Sequence, residues 1–259
     1  MNTARKSLIV GNWKMNLSAH QASTLLHRLN EHIEVHHNTE VVLAPSFLAL
    51  QPLSVEIDRR KFRLAAQDAF YMDEGAYTGE VSFSMLNDLV HYVIVGHSER
   101  RKYFGETLET VREKVSAAIR NQISPIICIG ETFEERKNGE TKQVLHDQLV
   151  SALSNLTSLD IEKVVIAYEP VWAIGTGVTA KPEQINDAIT YIRHNIQELY
   201  GPRASQAVRV LYGAGVEPDY VNDLLKLPCG IDGLLVGGAS LNYHKFAGIV
   251  AAAQRRQYE

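Results

Sequence analysis

The chain has 259 residues, 45% of them hydrophobic and 22% charged, with a formal net charge of -4. A chain of this size buries roughly 75% of its unfolded surface without disulfide staples, and α/β barrels of this length are routinely one domain. The mildly acidic balance lacks the electrostatic footprint of a nucleic-acid binder or of a protein drawn to an anionic membrane surface.

In chain order, short apolar runs occur at Leu8–Val10, Val41–Ala44, Leu64–Ala66, Tyr92–Val95, Ile126–Ile129, Val164–Ala167, Val208–Leu211 and Leu234–Val236. They are spaced roughly thirty residues apart, the size of one strand–helix unit. Most are rich in β-branched residues and lack in/out alternation, which fits parallel strands buried on both faces. Helical periodicity fills the gaps. Ser18 is placed to cap a helix through Leu25, Leu26, Leu29 and Ile33, and Thr107 one through Val111, Val115 and Ile119. Lys181-Pro182-Glu183 opens another through Ile185 and Ile196, and Tyr200-Gly201-Pro202 ends it. A shorter helix is expected over Asp219–Leu227, and a last one from Ser240 through Phe246 and Val250. Asn138-Gly139 reads as a surface turn inside the fifth unit. Strand then helix, repeated eight times, predicts an α/β fold, a (β/α)8 barrel forming a single domain over residues 1–259. An open doubly wound sheet is the other topology with this alternation.

Cys128 and Cys229 have no metal-ligand spacing and no CxxC partner, and read as small buried hydrophobes in a reducing compartment. Arg5 and Lys6 before Leu8-Ile9-Val10 resemble the start of a signal peptide, but Asn12-Trp13-Lys14 ends the run far too early. No run is long enough to span a bilayer. A cytoplasmic enzyme with no metal is expected.

Polar or glycine residues follow the runs: Gly11-Asn12-Trp13-Lys14 after the first, Gly96-His97-Ser98-Glu99 after the fourth, Gly130-Glu131 after the fifth, Glu169 after the sixth, Gly213-Ala214-Gly215 after the seventh and Gly237-Gly238 after the eighth. A parallel barrel brings these points to its C-terminal rim, where barrel active sites form. Asn12, Lys14, His97 and Glu169 are therefore expected to converge. Glu169 is pinned between its strand and Pro170, followed by the apolar loop Val171-Trp172-Ala173-Ile174 and Gly175-Thr176-Gly177. An apolar loop with glycines at its end suggests a flap, which would desolvate the carboxylate and raise its pKa toward that of a working base. The bland alternative is a charged residue ending a strand into water. His97, if neutral, could donate to a carbonyl or enediolate oxygen, with Ser98 and Glu99 supporting it; Glu99 also fits a helix-capping carboxylate. Lys14 is a surface cation, an electrostatic partner for an anionic substrate, or a Schiff-base amine. The glycine loops at Gly175, Gly215 and Gly237-Gly238 are suited to hold a phosphate on backbone amides. Gly175–Ala180 matches a loose dinucleotide-binding pattern but does not follow its strand directly, so it is rejected.

These segments resemble the triosephosphate isomerase family along essentially the whole chain. The resemblance is carried by Gly11–Asn16, Gly75–Glu80, Gly96–Arg101 with Phe104-Gly105-Glu106, Ala167–Gly177 and Asp232–Leu241. It implies a TIM barrel that interconverts dihydroxyacetone phosphate and glyceraldehyde 3-phosphate in glycolysis and gluconeogenesis, without cofactor or metal. It also implies that Glu169 is the base and His97 the neutral electrophile. Lys14 and Asn12 would support the enediolate, and amides of Gly175, Gly215, Gly237 and Gly238 would hold the phosphate. Thr78 would reach the site of a second subunit, giving a homodimer. One departure stands out. Where the family usually has Gly-Gly-Ser-Val after its tyrosine, this chain has Gly213-Ala214-Gly215-Val216 after Tyr212. The missing serine hydroxyl would hydrogen-bond the closed flap, so the flap is expected to be held less firmly. Glu217-Pro218, where the family commonly has Asn, is a further difference. The rival readings are a Schiff-base aldolase using Lys14, and a catalytically impaired paralogue kept as a binding protein.

Overall fold

The computed structural model describes residues 5–255; residues 1–4 and 256–259 of the expected domain lie outside the described residues. Eight strands, β1 (Ser7–Asn12), β2 (Thr39–Ala44), β3 (Phe62–Ala66), β4 (Tyr92–Val95), β5 (Ser124–Ile129), β6 (Val165–Tyr168), β7 (Arg209–Tyr212) and β8 (Gly233–Val236), pair in parallel in sequence order. β8 pairs back to β1, with Leu8 opposite Gly233 and Gly11 opposite Val236, and closes the barrel. Each apolar run coincides with a strand to within one residue, Val164 and Val208 lying just before β6 and β7, and the open-sheet alternative is excluded by the closure.

The runs are continuously apolar because both strand faces are covered. Leu8, Val10, Val42, Ile94, Ile126, Val165 and Leu211 fill the barrel interior. Their alternates, among them Ile9, Val41, Leu43, Val93, Ile127 and Ile166, pack against the helical layer. At the N-terminal end the interior turns polar. Arg209 Nη1 donates to Glu40 Oε2 at 2.8 Å, Arg209 Nη2 donates to the Tyr92 hydroxyl at 2.7 Å, and that hydroxyl donates to Glu40 Oε2 at 2.9 Å. Buried charge is tolerated when it is paired and hydrogen-bonded on all sides. Burial pushes the Tyr92 phenol up to about 12, so it stays a donor.

The helices start where the sequence places their caps, with one exception. The Ser18 hydroxyl accepts the Gln21 amide, and the Gln21 side chain accepts the Ser18 amide, at the head of helix Ala19–His32. Thr107 caps Leu108–Arg120 by accepting the Thr110 amide on its hydroxyl. Asn138-Gly139 lies between helices Phe133–Lys137 and Thr141–Leu153. The helix beginning at Pro182 ends at Gly201 as expected, where φ of 84° and ψ of 172° leave the helical region, and a second short helix follows to Ala207. The segment expected as a helix over Asp219–Leu227 is a 3-10 turn, Pro218–Tyr220, followed by Val221–Leu225. The last helix begins at Tyr243, not Ser240. Ser240 lies in a 3-10 turn, Gly238–Leu241, and its hydroxyl donates to the carbonyl of Gly237 at 2.7 Å instead of capping a helix. Among the described residues no helix is long and apolar enough to cross a membrane. Both cysteines are buried.

Candidate active site

The C-terminal ends of the strands surround a cavity of about 840 Å3. Asn12, Lys14, His97, Ser98, Glu99 and Glu169 line it, as do Gly175, Gly215, Gly237 and Gly238. The topology thus brings together residues that are more than two hundred positions apart in the chain.

Glu169 and His97 form the floor. His97 follows Gly96, whose φ of 69° turns the chain sharply out of β4. His97 Nδ1 accepts the Glu99 amide at 3.3 Å, which leaves the ring proton on Nε2. Nε2 lies 3.1 Å from Glu169 Oε1, and the Ser98 amide donates to Glu169 Oε2 at 3.3 Å. Ser98 therefore acts here through its backbone. Both side chains are buried. Burial is the largest influence on the Glu169 carboxyl and pushes it up, but His97, the Ser98 amide and Lys14 together outweigh it and hold it below the usual carboxylate range. The sequence expectation of a raised carboxyl is corrected: burial was legible, but the stabilising partners come from two other strands. For His97, burial lowers the imidazole and the neighbouring Glu169 carboxylate raises it; the carboxylate prevails in this arrangement. Cys128, fully buried, is pushed up by burial and by Glu169 beside it, so it stays a thiol.

The backbone of Glu169 is fixed from both sides. Its amide donates to the Ile129 carbonyl at 2.8 Å, and the Gly213 amide donates to the Tyr168 carbonyl at 2.9 Å. A Cβ on Gly130 would stand 1.7 Å from the Glu169 carbonyl oxygen, and one on Gly213 would stand 3.2 Å from Glu169 Cγ. Two glycines therefore make room for one glutamate.

Lys14 has φ of 52°, uncommon for a residue with a side chain. The Asn12 side chain accepts its amide at 3.0 Å, and Gln67 donates to its carbonyl at 2.8 Å. The ammonium reaches Glu99 Oε1 at 2.5 Å. A Cβ on Gly237 would meet Lys14 Cε at 3.5 Å, so the lysine lies beside the last glycine loop. Asn12 works here as a brace for the lysine backbone.

The flap is anchored at its root and open at its tip. Glu131, fully buried, accepts Trp172 Nε1 at 2.9 Å, Arg136 Nη1 at 2.8 Å and the Tyr168 hydroxyl at 3.2 Å. The 3-10 turn Val171–Ala173 is held by these contacts, while residues 175–179 are exposed. The Tyr212 hydroxyl is buried without a hydrogen-bond partner among the described residues. Gly215 has φ of 56°, and nothing lies within 4 Å of a Cβ added there. In the sequence Glu131 shows only as a polar residue after β5, and Gln67 carries no local signal. Both act through residues distant in the chain, which no local pattern displays.

A family model described as triosephosphate isomerase matches residues 7–253. The chain belongs to the triosephosphate isomerase family. It is 48% identical over 247 residues to the triosephosphate isomerase of Citrifermentans bemidjiense, covering 95% of this chain and 98% of that one. It is 44% identical over 252 residues to the triosephosphate isomerase of Chloroherpeton thalassium, covering 96% and 100%. To that of a Thermoanaerobacter species it is 45% identical over 247 residues, covering 95% and 99%. Triosephosphate isomerase family membership thus runs the length of the barrel. Among the described residues no group of His, Cys, Asp or Glu is arranged to hold a metal ion.

Proposed function

We propose that this chain interconverts dihydroxyacetone phosphate and glyceraldehyde 3-phosphate. The single observation that carries the reading is the buried Glu169–His97 contact of 3.1 Å at the floor of the rim cavity. A carboxylate base and an imidazole donor side by side match a reaction that moves a proton between adjacent carbons and redistributes protons on their oxygens.

In this reading Glu169 takes the proton from the carbon beside the carbonyl, and the electron pair moves to the carbonyl oxygen as an enediolate. His97 Nε2–H hydrogen-bonds that oxygen and relays a proton between the two oxygens. Glu169 then returns the proton to the neighbouring carbon. When Glu169 leaves His97 for the substrate, the larger influence raising the imidazole goes with it, and only the weaker one of Glu99 remains. Burial and the Glu99 amide on Nδ1 then favour the neutral ring. Lys14 supplies positive charge to the enediolate and phosphate, and Asn12 and Glu99 keep it in place. Amides of Gly175, Gly215, Gly237 and Gly238 are the phosphate cradle.

The barrel acts as one domain. A homodimer in the cytoplasm completes the proposal, with Thr78 reaching the cavity of a second copy. The exposure of the Thr78 loop and of Met15, which is 96% exposed beside Lys14, supports a covering partner there. Sedimentation at assay concentration tests it.

A coupled isomerase assay on the wild type and Glu169→Asp tests the activity. The shortened base should lose on the order of 100-fold in kcat with little change in KM, since a misplacement near 1 Å costs about that much. An inactive wild type would instead favour the impaired paralogue. The aldolase reading has Lys14 as a free amine, whereas its ammonium pairs with Glu99. Borohydride trapping at Lys14 would be its signature.

A further inference from the structure

The opposite end of the barrel carries a second cavity, of about 160 Å3, at the starts of β1, β2 and β3. The length of β2, about 17–20 Å for six residues, separates it from the catalytic rim. Five cationic side chains, Lys6, Arg59, Arg60, Lys61 and Arg63, line it against one carboxylate, Glu40. They differ in what they are already doing. Glu40 is taken by Arg209 and Tyr92. Arg60 pairs with Asp58, and Lys61 Nζ donates to the Asn30 carbonyl at 2.7 Å. Arg63 donates to the Arg59 carbonyl, and among the described residues Lys6, Arg59 and Arg63 form no ion pair with a carboxylate. Their charge is felt nearby: after burial, Arg63 and Arg59 are what push the His91 imidazole below its usual value.

The second observation is Thr39. It opens β2, lines the same cavity, is 7% exposed, and its Oγ1 is buried with no hydrogen-bond partner among the described residues. Buried hydroxyls are ordinarily partnered, so an orphan beside guanidinium groups that form no ion pair points to a missing acceptor. The volume is that of about five liquid waters, which suits a single phosphate with part of its hydration and is too small for a nucleotide. Arginine forks match phosphate oxygens bidentately.

We propose that this N-terminal cavity is a second anion site that binds a phosphate group through Arg59, Arg63, Lys6 and the Thr39 hydroxyl. It is independent of the catalytic cavity and of the activity proposed for it.

Equilibrium dialysis with radiolabelled inorganic phosphate at low ionic strength tests this on the full-length chain. The Lys14→Met variant, impaired at the catalytic rim, should still bind one phosphate per chain. Adding Arg59→Ala and Arg63→Ala should weaken that binding tenfold or more, and adding Thr39→Val roughly three- to tenfold. Arg59→Ala and Arg63→Ala singly, in the otherwise unaltered chain, should leave isomerase turnover unchanged, which shows that the barrel is intact. Glycerol 2-phosphate in competition separates two sources: displacement assigns the phosphate head of an ester, and no displacement assigns the free ion. Loss of all phosphate binding in Lys14→Met, or equal binding with and without the two arginines, overturns the proposal.

Discussion

Replacing Glu131 with alanine should cost about 2–4 kcal/mol of stability and loosen the flap at its root. The carboxylate is fully buried and accepts from the Tyr168 hydroxyl, Trp172 Nε1 and Arg136 Nη1. Its removal orphans all three donors, but not equally. The Tyr168 hydroxyl is sealed inside and bears the full cost of an unmet donor, about 1–3 kcal/mol. The Trp172 ring is partly buried, and the Arg136 side chain is 25% exposed, so water recovers part of both losses. That puts the total somewhat under the roughly 3–5 kcal/mol of a fully buried broken pair. Urea unfolding at neutral pH measures the stability, and hydrogen exchange over residues 171–178 measures the flap. Glu131→Gln keeps the shape and one acceptor, and should fall between alanine and wild type. An alanine variant within 1 kcal/mol of wild type, with unchanged exchange in the flap, would refute the reasoning.

Gly130→Ala should cost more than about 3 kcal/mol, because the added carbon overlaps a backbone oxygen 1.7 Å away that cannot rotate aside; an unshifted urea midpoint refutes this. Gly215→Ser separates two effects. The left-handed backbone at φ 56° should cost about 1–2 kcal/mol in stability, while a hydroxyl that bonds the closed flap should tighten an enediolate mimic such as 2-phosphoglycolate roughly three- to tenfold. Unchanged or weaker inhibition would mean that the serine does not reach the flap. Asp68 should make stability fall as pH rises from about 4 to about 6. Burial, with Glu106 nearby, pushes its carboxyl up to about 6 against Lys114 and Arg100, so over that window the native state holds a proton that the unfolded state has lost. The loss is on the order of 1–3 kcal/mol and is complete above pH 6. Urea midpoints across pH 4–7 should show the decline in wild type and not in Asp68→Asn; parallel curves refute it.

The barrel was legible because covering both strand faces leaves a physical trace in the sequence, a short unbroken apolar run. Glu169 was legible because a strand end and a proline frame it. What stayed hidden depends on residues meeting across strands. The lowered Glu169 carboxyl needs His97 and Ser98 from the end of β4 and Lys14 from the end of β1. The buried cluster in which Lys114 Nζ reaches Asp68 Oδ1 at 2.7 Å, with Glu106 and Arg100 alongside, joins four residues that look like ordinary surface charges in the sequence. The start of the last helix was misplaced for the opposite reason. Ser240 has the local look of a cap, yet its hydroxyl is spent on the Gly237 and Asn12 carbonyls.

The close fit around Glu169 also sets clocks. With its amide bound to Ile129 and Gly130 pressed against its carbonyl, the strand end cannot travel, and the carboxylate reaches a new position only by turning its own side-chain torsions. Such rotations take on the order of picoseconds to nanoseconds, whereas a loop of the flap's size moves in nanoseconds to microseconds or longer. The base is therefore never the slow part. Raising solvent viscosity should slow turnover through the flap alone, and a mutation that stiffens the flap should slow it even when every catalytic atom is untouched.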